Sequence, residues 1–270
     1  MLCPVAVTLV LLLCVKVKRM DDESKRVGPD GYTFLKGGFP YSQGVQALPG
    51  YAIERVRFAQ PLPMKEGFAA IQAYLQSLGR PRTALCAAEL RSPRQFSMSG
   101  FRAFNESYVE VLRQWRLFHD GLNPVARSNV APDIDPPAEP SFYAFCHTVR
   151  AQRAVSVVIA GSGEWPEGGR FPDDIVARGD VSAAGLQAKA RSVLDTMQRR
   201  LTALGASWSQ VTGVQVYTVH DIHVIVRDEI IPRAGNGAGV SWHYCRPPIE
   251  ELEYEMDVRS VAVERVLAPV

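Results

Sequence analysis

The sequence predicts an α+β fold made of two tandem units, each a mixed sheet with two helices packed on one face. Three observations predict it. Short strand-like runs alternate with amphipathic helical runs, and the order strand, strand, helix, strand, helix, strand, strand begins again near residue 150. The third is size: 270 residues of ordinary globular composition, 47% apolar and 21% charged, suffice for two domains. Units at 30–150 and 151–270 follow, preceded by residues 1–29 as an extension that is disordered or not translated.

In the first unit, residues 31–48 read as short strands broken by glycines, and 51–59 alternates as a strand with Ile53, Val56 and Phe58 apolar. Phe68, Ile71, Leu75 and Leu78 mark a helix over 64–78, ended by Gly79 and Pro81. A buried strand is expected at 83–90 and a loop at 92–99. A second helix is expected over 100–119, with Phe101, Phe104, Tyr108, Val111, Leu112 and Trp115 on one side and Gly121 as its stop. A proline-rich loop at 132–140 leads to a strand over 142–149.

The second unit opens with a strand at 155–160 running into Gly161-Ser162-Gly163, then a loop rich in glycine, proline and aspartate at 164–180. Leu186, Ala190, Val193, Leu194, Met197 and Leu201 line one face of a helix over 185–204, capped by Gly205. Strands are expected at 211–219, 240–245 and 252–263, with a short helix at 221–231. His220 and His223 flank Asp221 at a turn, where capping is a better reading than a metal site, since no third ligand follows at helical spacing.

Residues 1–15 are apolar but too short to span a bilayer, and Pro4 interrupts them. Lys16, Lys18 and Arg19 follow that run instead of preceding it, which also fits a secretory signal poorly. Residues 1–19 are therefore read as an upstream extension, with the working protein starting near Met20. Five cysteines, Cys3, Cys14, Cys86, Cys146 and Cys245, show no metal spacing and read as free thiols of a cytoplasmic protein. The net charge of +2 comes without a basic stripe interleaved with aromatics, so a small molecule is expected as partner, and neither nucleic acid nor membrane.

Asn123 to Val130, Asn-Pro-Val-Ala-Arg-Ser-Asn-Val, places Arg127 just past a proline at the opening of an extended segment. A guanidinium held there is a fixed fork of donors suited to a carboxylate. A surface arginine paired with a neighbouring acid is the other reading. Glu89 and Arg91, on one strand face, read as a surface or interface ion pair.

Pro40-Tyr41-Ser42-Gln43-Gly44-Val45 resembles the N-terminal motif of the Rid (YjgF) family of enamine and imine deaminases. Residues 100–108 resemble that family's second helix, and Pro124-Val125-Ala126-Arg127-Ser128 its Pro-x-Arg-Ser motif with one residue inserted. In the second unit, 158–163 resembles its glycine-ended strand, 204–207 its helix-ending turn, 214–221 its central strand, and 254–261 its closing acidic strand. The resemblance spans 31–263 and implies duplicated chorismate-mutase-like domains. They would assemble as a homo-oligomer, a trimer or another multiple of three domains, with clefts between neighbours.

The resemblance also implies roles. Arg127 would anchor a substrate carboxylate, Glu255 would position water, and Tyr41 would complete the catalytic set, with Asn105 and Asn129 lining the pocket. The family's glutamate is Tyr143 in the first copy, its arginine is Gly239 or Val240 in the second, and its frequent cysteine is Asn129. A whole site must then combine both copies. Trp242, Cys245 and Arg246 belong to a segment dense in functional side chains, where Arg246 could hold a second carboxylate. The implied activity is hydrolytic deamination of a 2-aminomuconate-like or 2-imino acid, with no cofactor and no metal. A chorismatase-like enzyme and a non-catalytic carboxylate-binding protein are the rivals.

Overall fold

The computed structural model describes residues 25–151 and 156–268. The expectations for residues 1–19, Cys3 and Cys14 lie outside them. The first half supplies β1 (Lys25–Val27), β2 (Tyr32–Leu35), β3 (Gly44–Ala47), β4 (Tyr51–Pro63), α1 (Met64–Ser77), β5 (Leu85–Arg91), α2 (Met98–Gln114), β6 (Ala126–Pro132) and β7 (Ser141–Arg150). The second supplies β8 (Val157–Gly163), α3 (Ala183–Ala203), β9 (Gly213–Tyr217), β10 (Gly239–His243), β11 (Cys245–Arg246), β12 (Glu255–Ser260) and β13 (Glu264–Leu267).

These strands form two mixed sheets, ordered β1-β2-β3-β8-β12-β9-β10 and β11-β6-β5-β7-β4-β13. The α+β class is as expected. The strands, however, do not stay with their own half. The first three join the second half's sheet through β3 and β8, while β13 and β11 join the first half's sheet beside β4 and β6. β1 also puts ordered strand where the extension 1–29 was expected to be disordered or untranslated.

Helices α1 and α2 cover the outer face of one sheet: Phe68, Ile71, Leu75, Tyr108 and Leu112 pack on Val56, Leu90, Phe142 and Phe145. Helix α3 covers the other sheet with Leu186, Val193, Met197 and Leu201 against Val157, Ile159, Val214 and Val258. The inner faces meet through small side chains, Ala87, Ala126, Cys86, Cys146 and Ala160, with Tyr32, Phe34 and Ile53. Small residues there let two sheets approach closely.

Local chemistry sets the helix ends. Ser97 and Ser182 accept the amides of Gly100 and Gly185, each at 3.2 Å, as N-caps. Gly205, at φ +75°, ends α3, and Ala206 N returns to Leu201 O at 2.9 Å. Helix α2 stops five residues before the expected His119. Arg116 takes φ +59°, and Leu117 N closes on Leu112 O at 3.0 Å, so the turn precedes Gly121. The second half's other helix is short and irregular, with Val226–Ile230 in π geometry between single turns. Cys86, Cys146 and Cys245 are buried free thiols. Among the described residues no helix is long and apolar enough to cross a membrane.

Candidate active site

A cavity of about 890 Å³ opens where β6 of the first half lies along β8 and β12 of the second. Its wall includes Tyr41 from the loop before β3, Asn105 from α2, Arg127 and Asn129 from β6, Gly161 at the end of β8, and Glu255 at the start of β12. Five of the residues singled out from sequence therefore share one cavity within a single chain. Both halves contribute, as the split motifs required.

Arg127 is 2% exposed and has no acidic partner. Its Nη2 donates to Asn105 Oδ1 at 2.6 Å, while Nε and Nη1 have no partner. The rings of Tyr108 and Tyr41 stand 4.8 and 5.0 Å from its Cζ, with Phe104 and Phe101 slightly farther out. Rings that close stabilise the cation but accept no proton geometrically. Burial lowers the guanidinium's pKa, opposed by Tyr108, Tyr41 and Glu255. A buried cation with two unanswered donors is built for an anion. The expectation of a surface pair does not describe it.

Glu255 is 5% exposed. Burial drives its carboxyl well above the ordinary range, Asp257 and Glu164 add to this, and Arg127 only partly opposes it. Burial thus favours the protonated form of this side chain. Gly161 makes room for it: a Cβ there would run into Glu255 Oε1 and come 3.1 Å from Ser128 Cα. Tyr41, raised chiefly by burial, stays a neutral phenol. Asn129 Oδ1 accepts from Ser92 Oγ at 3.0 Å, leaving its buried Nδ2 without a partner.

Polar bonds fix the two halves against each other below the cavity. Ser128 Oγ donates to Asp257 Oδ2 at 2.6 Å, Tyr217 OH donates to the same oxygen at 2.7 Å, and Gln215 Nε2 reaches Oδ1 at 2.9 Å. Glu89, expected to form a surface or interface ion pair with Arg91, is buried and held instead by Arg55 at 2.6 and 2.8 Å. Arg91 is buried too, with its guanidinium 4.0 Å from the Tyr143 ring centre.

Trp242, Cys245 and Arg246 do not reach this cavity. Trp242 and Cys245 line a separate cleft of about 600 Å³ with Arg91, Tyr143 and His243. Burial, helped by Arg91, lowers His243 to about 4. Arg246 is already bound to Asp133 at 2.9 Å and Glu253 at 3.3 Å, so its charge is used to anchor β11. Asp221 Oδ1 accepts His223 N at 2.8 Å, the turn capping expected there. No cluster of three or more metal-ligating side chains occurs among the described residues.

Two charged cavity residues went unnoticed in the sequence, Arg200 of α3 and Glu167 of the loop before it. Arg200 is 5% exposed, donates from Nη1 to Ala160 O at 2.8 Å and pairs through Nη2 with Glu167. The signal for Arg200 was present: it lies three residues past Met197 and seven past Val193, on a face that is mostly apolar. Glu167 sits in an irregular loop that offers no such periodic cue.

The chain is 44% identical over 244 residues to a 2-amino-5-chloromuconate deaminase of Comamonas testosteroni, covering 88% of this chain and 97% of that protein. Among solved structures it is similar to a chorismatase, with TM-score 0.48, 13% identity, and coverage of 88% of this chain and 79% of that one. It is also similar to the YjgF gene product of E. coli, with TM-score 0.30 and 16% identity over 40% of this chain and 80% of that one. The model of the family described as 2-aminomuconate deaminase CnbZ matches residues 24–265, which narrows the Rid resemblance, and the chain belongs to that family.

Proposed function

We propose that this cavity hydrolytically deaminates an enamine dicarboxylate of the 2-aminomuconate type, releasing ammonia and leaving a 2-oxo acid. The observation that carries the reading is the pairing, in one cavity, of the buried Arg127 with unanswered donors and the buried Glu255, whose environment favours its protonated form. The substrate class is supported by the 44% identical deaminase.

The steps use water and the chain's own side chains. Arg127 offers its unpartnered donors to the carboxylate next to the amino-bearing carbon, and Asn105 fixes the plane of the guanidinium. Glu255, as the neutral acid, protonates the enamine carbon, converting the C=C–NH₂ unit to an iminium. The resulting Glu255 carboxylate takes a proton from water as its oxygen bonds to the iminium carbon. Proton transfer to nitrogen and cleavage of the C–N bond then release ammonia, so one water is consumed and one ammonia formed. Tyr41 and the free Nδ2 of Asn129 border the reacting carbon as neutral hydrogen-bonding groups.

The test is ammonia release from enzymatically generated 2-aminomuconate and from 2-imino acids, with Arg127→Ala as control. Release that the variant abolishes is expected. Ammonia from neither substrate, or pyruvate from chorismate instead, would overturn the assignment.

A further inference from the structure

We infer that Arg200 is the second carboxylate-binding residue of the cavity and that Glu167 holds its place until a dicarboxylate arrives. This rests on the dicarboxylate reading above and names the group that selects for it. Three arginines line the cavity. Arg102 is exposed and paired with Glu106 at 3.3 Å, which leaves Arg127 and Arg200 as the buried cations. Tyr41, whose ring centre is 5.0 Å from Arg127 Cζ, lines the same cavity and is within electrostatic reach of both. A muconate skeleton carries one carboxylate at each end, matching two buried cations in one cavity.

The partners of Arg200 divide its donors unequally. Nη1 is committed to the Ala160 carbonyl at 2.8 Å, which orients the guanidinium on the end of β8. The Nε–Nη2 edge is the fork that would grip a carboxylate bidentately. Nε is buried without a partner, and Nη2 is met by Glu167 alone. Glu167 is a poor permanent counter-ion there. Its side chain is 46% exposed, and its other oxygen already accepts from Gln43 Nε2 at 2.9 Å. A carboxylate arriving from the cavity gains both donors of the fork, while Glu167 keeps Gln43 and regains water.

Muconate and sorbate probe this without turnover, because they share the conjugated diene and differ by one terminal carboxylate. Calorimetry on the full chain is expected to show muconate binding more tightly than sorbate, and Arg200→Gln should shrink that ratio by about ten- to a hundred-fold. Glu167→Gln, which keeps an amide oxygen beside Arg200, should raise the same ratio a few-fold by removing the competing carboxylate. An unchanged ratio in both variants would overturn the proposal, as would wild-type protein that binds the two acids equally or binds neither. Ammonia release from 2-aminomuconate is read separately. Turnover without an Arg200 effect on the ratio rejects this residue and leaves the deaminase, whereas an intact ratio without turnover rejects the deaminase and leaves a dicarboxylate site.

Discussion

Arg127 Nη2 donates to Asn105 Oδ1 at 2.6 Å, so a buried cation is held by a neutral oxygen. The charge is therefore still available to a ligand. Replacing that oxygen with a carboxylate, Asn105→Asp, would neutralise Arg127 from within the protein. The variant is expected to melt at higher temperature than wild type, because a buried charge gains its counter-ion. It should also lose about ten- to a hundred-fold in kcat/KM on a carboxylate substrate, the worth of a charge-assisted hydrogen bond. Thermal melts and steady-state kinetics on one preparation check both, and the opposite signs separate a positioning role from a merely structural one.

Glu255 should make stability depend on pH. Burial first, and then Asp257 and Glu164, raise its carboxyl well above the ordinary range, so between about pH 4.3 and its folded value the native state holds a proton that the unfolded chain has lost. Its contribution is complete below the ordinary carboxyl value and disappears as pH rises through the folded one. Glu255→Gln has no such loss, so its melting temperature relative to wild type should climb with pH above about 4.3. A difference that stays flat from pH 4 to 9 would mean that Glu255 titrates normally. Turnover of wild type should also fall on the alkaline side, where the proton-donating form is depleted.

Gly161 is required by contact, because a Cβ would meet the Glu255 carboxyl group and the Ser128 backbone together. Gly161→Ala is expected to lower kcat at least as much as it lowers stability, by displacing Glu255. A double-mutant cycle isolates the cause. In a Glu255→Ala background the stability cost of Gly161→Ala should shrink by about 1 kcal/mol or more, since only the Ser128 contact remains. Equal costs in the two backgrounds would place the strain elsewhere.

The site was legible where a polar residue interrupts an otherwise apolar pattern. Asn105 sits four residues after Phe101 and three before Tyr108, on the buried stripe of α2. A polar side chain there must be satisfied by something buried, and that partner is Arg127. Arg200 gave the same signal on α3, but the long apolar face drew attention away from it. Strand exchange was not legible, because a period of two reports which face a residue takes and says nothing about the neighbouring strand. The same limit explains Trp242, Cys245 and Arg246: sequence shows them dense in functional groups, while pairing of β10 with β9 and β11 with β6 turns Trp242 and Cys245 to the other cleft and Arg246 to Asp133 and Glu253.

Strand exchange has an energetic consequence at Arg55. This guanidinium of β4 grips Glu89 of β5 at 2.6 and 2.8 Å and Glu264 of β13 at 3.0 Å, while Arg259 of β12 holds the other oxygen of Glu264 at 2.7 Å. Strand β13 is thereby tied into the first half's sheet. Burial alone would raise the Glu89 carboxyl, but the charge and hydrogen bonds of Arg55 overcome this and hold it far below the usual range. Glu89→Gln leaves Arg55 without its buried partner and should cost about 3–5 kcal/mol near neutral pH. A group with a depressed folded value stabilises above its unfolded pKa and loses that contribution as pH falls, so the gap between wild type and variant should narrow below about pH 4.3. Glu264→Gln, on a half-exposed partner, should cost less and act locally. Urea denaturation from pH 3 to 8 measures both. Equal destabilisation by the two variants, or a gap independent of pH, would show that the Arg55–Glu89 pair does not set the stability of this seam.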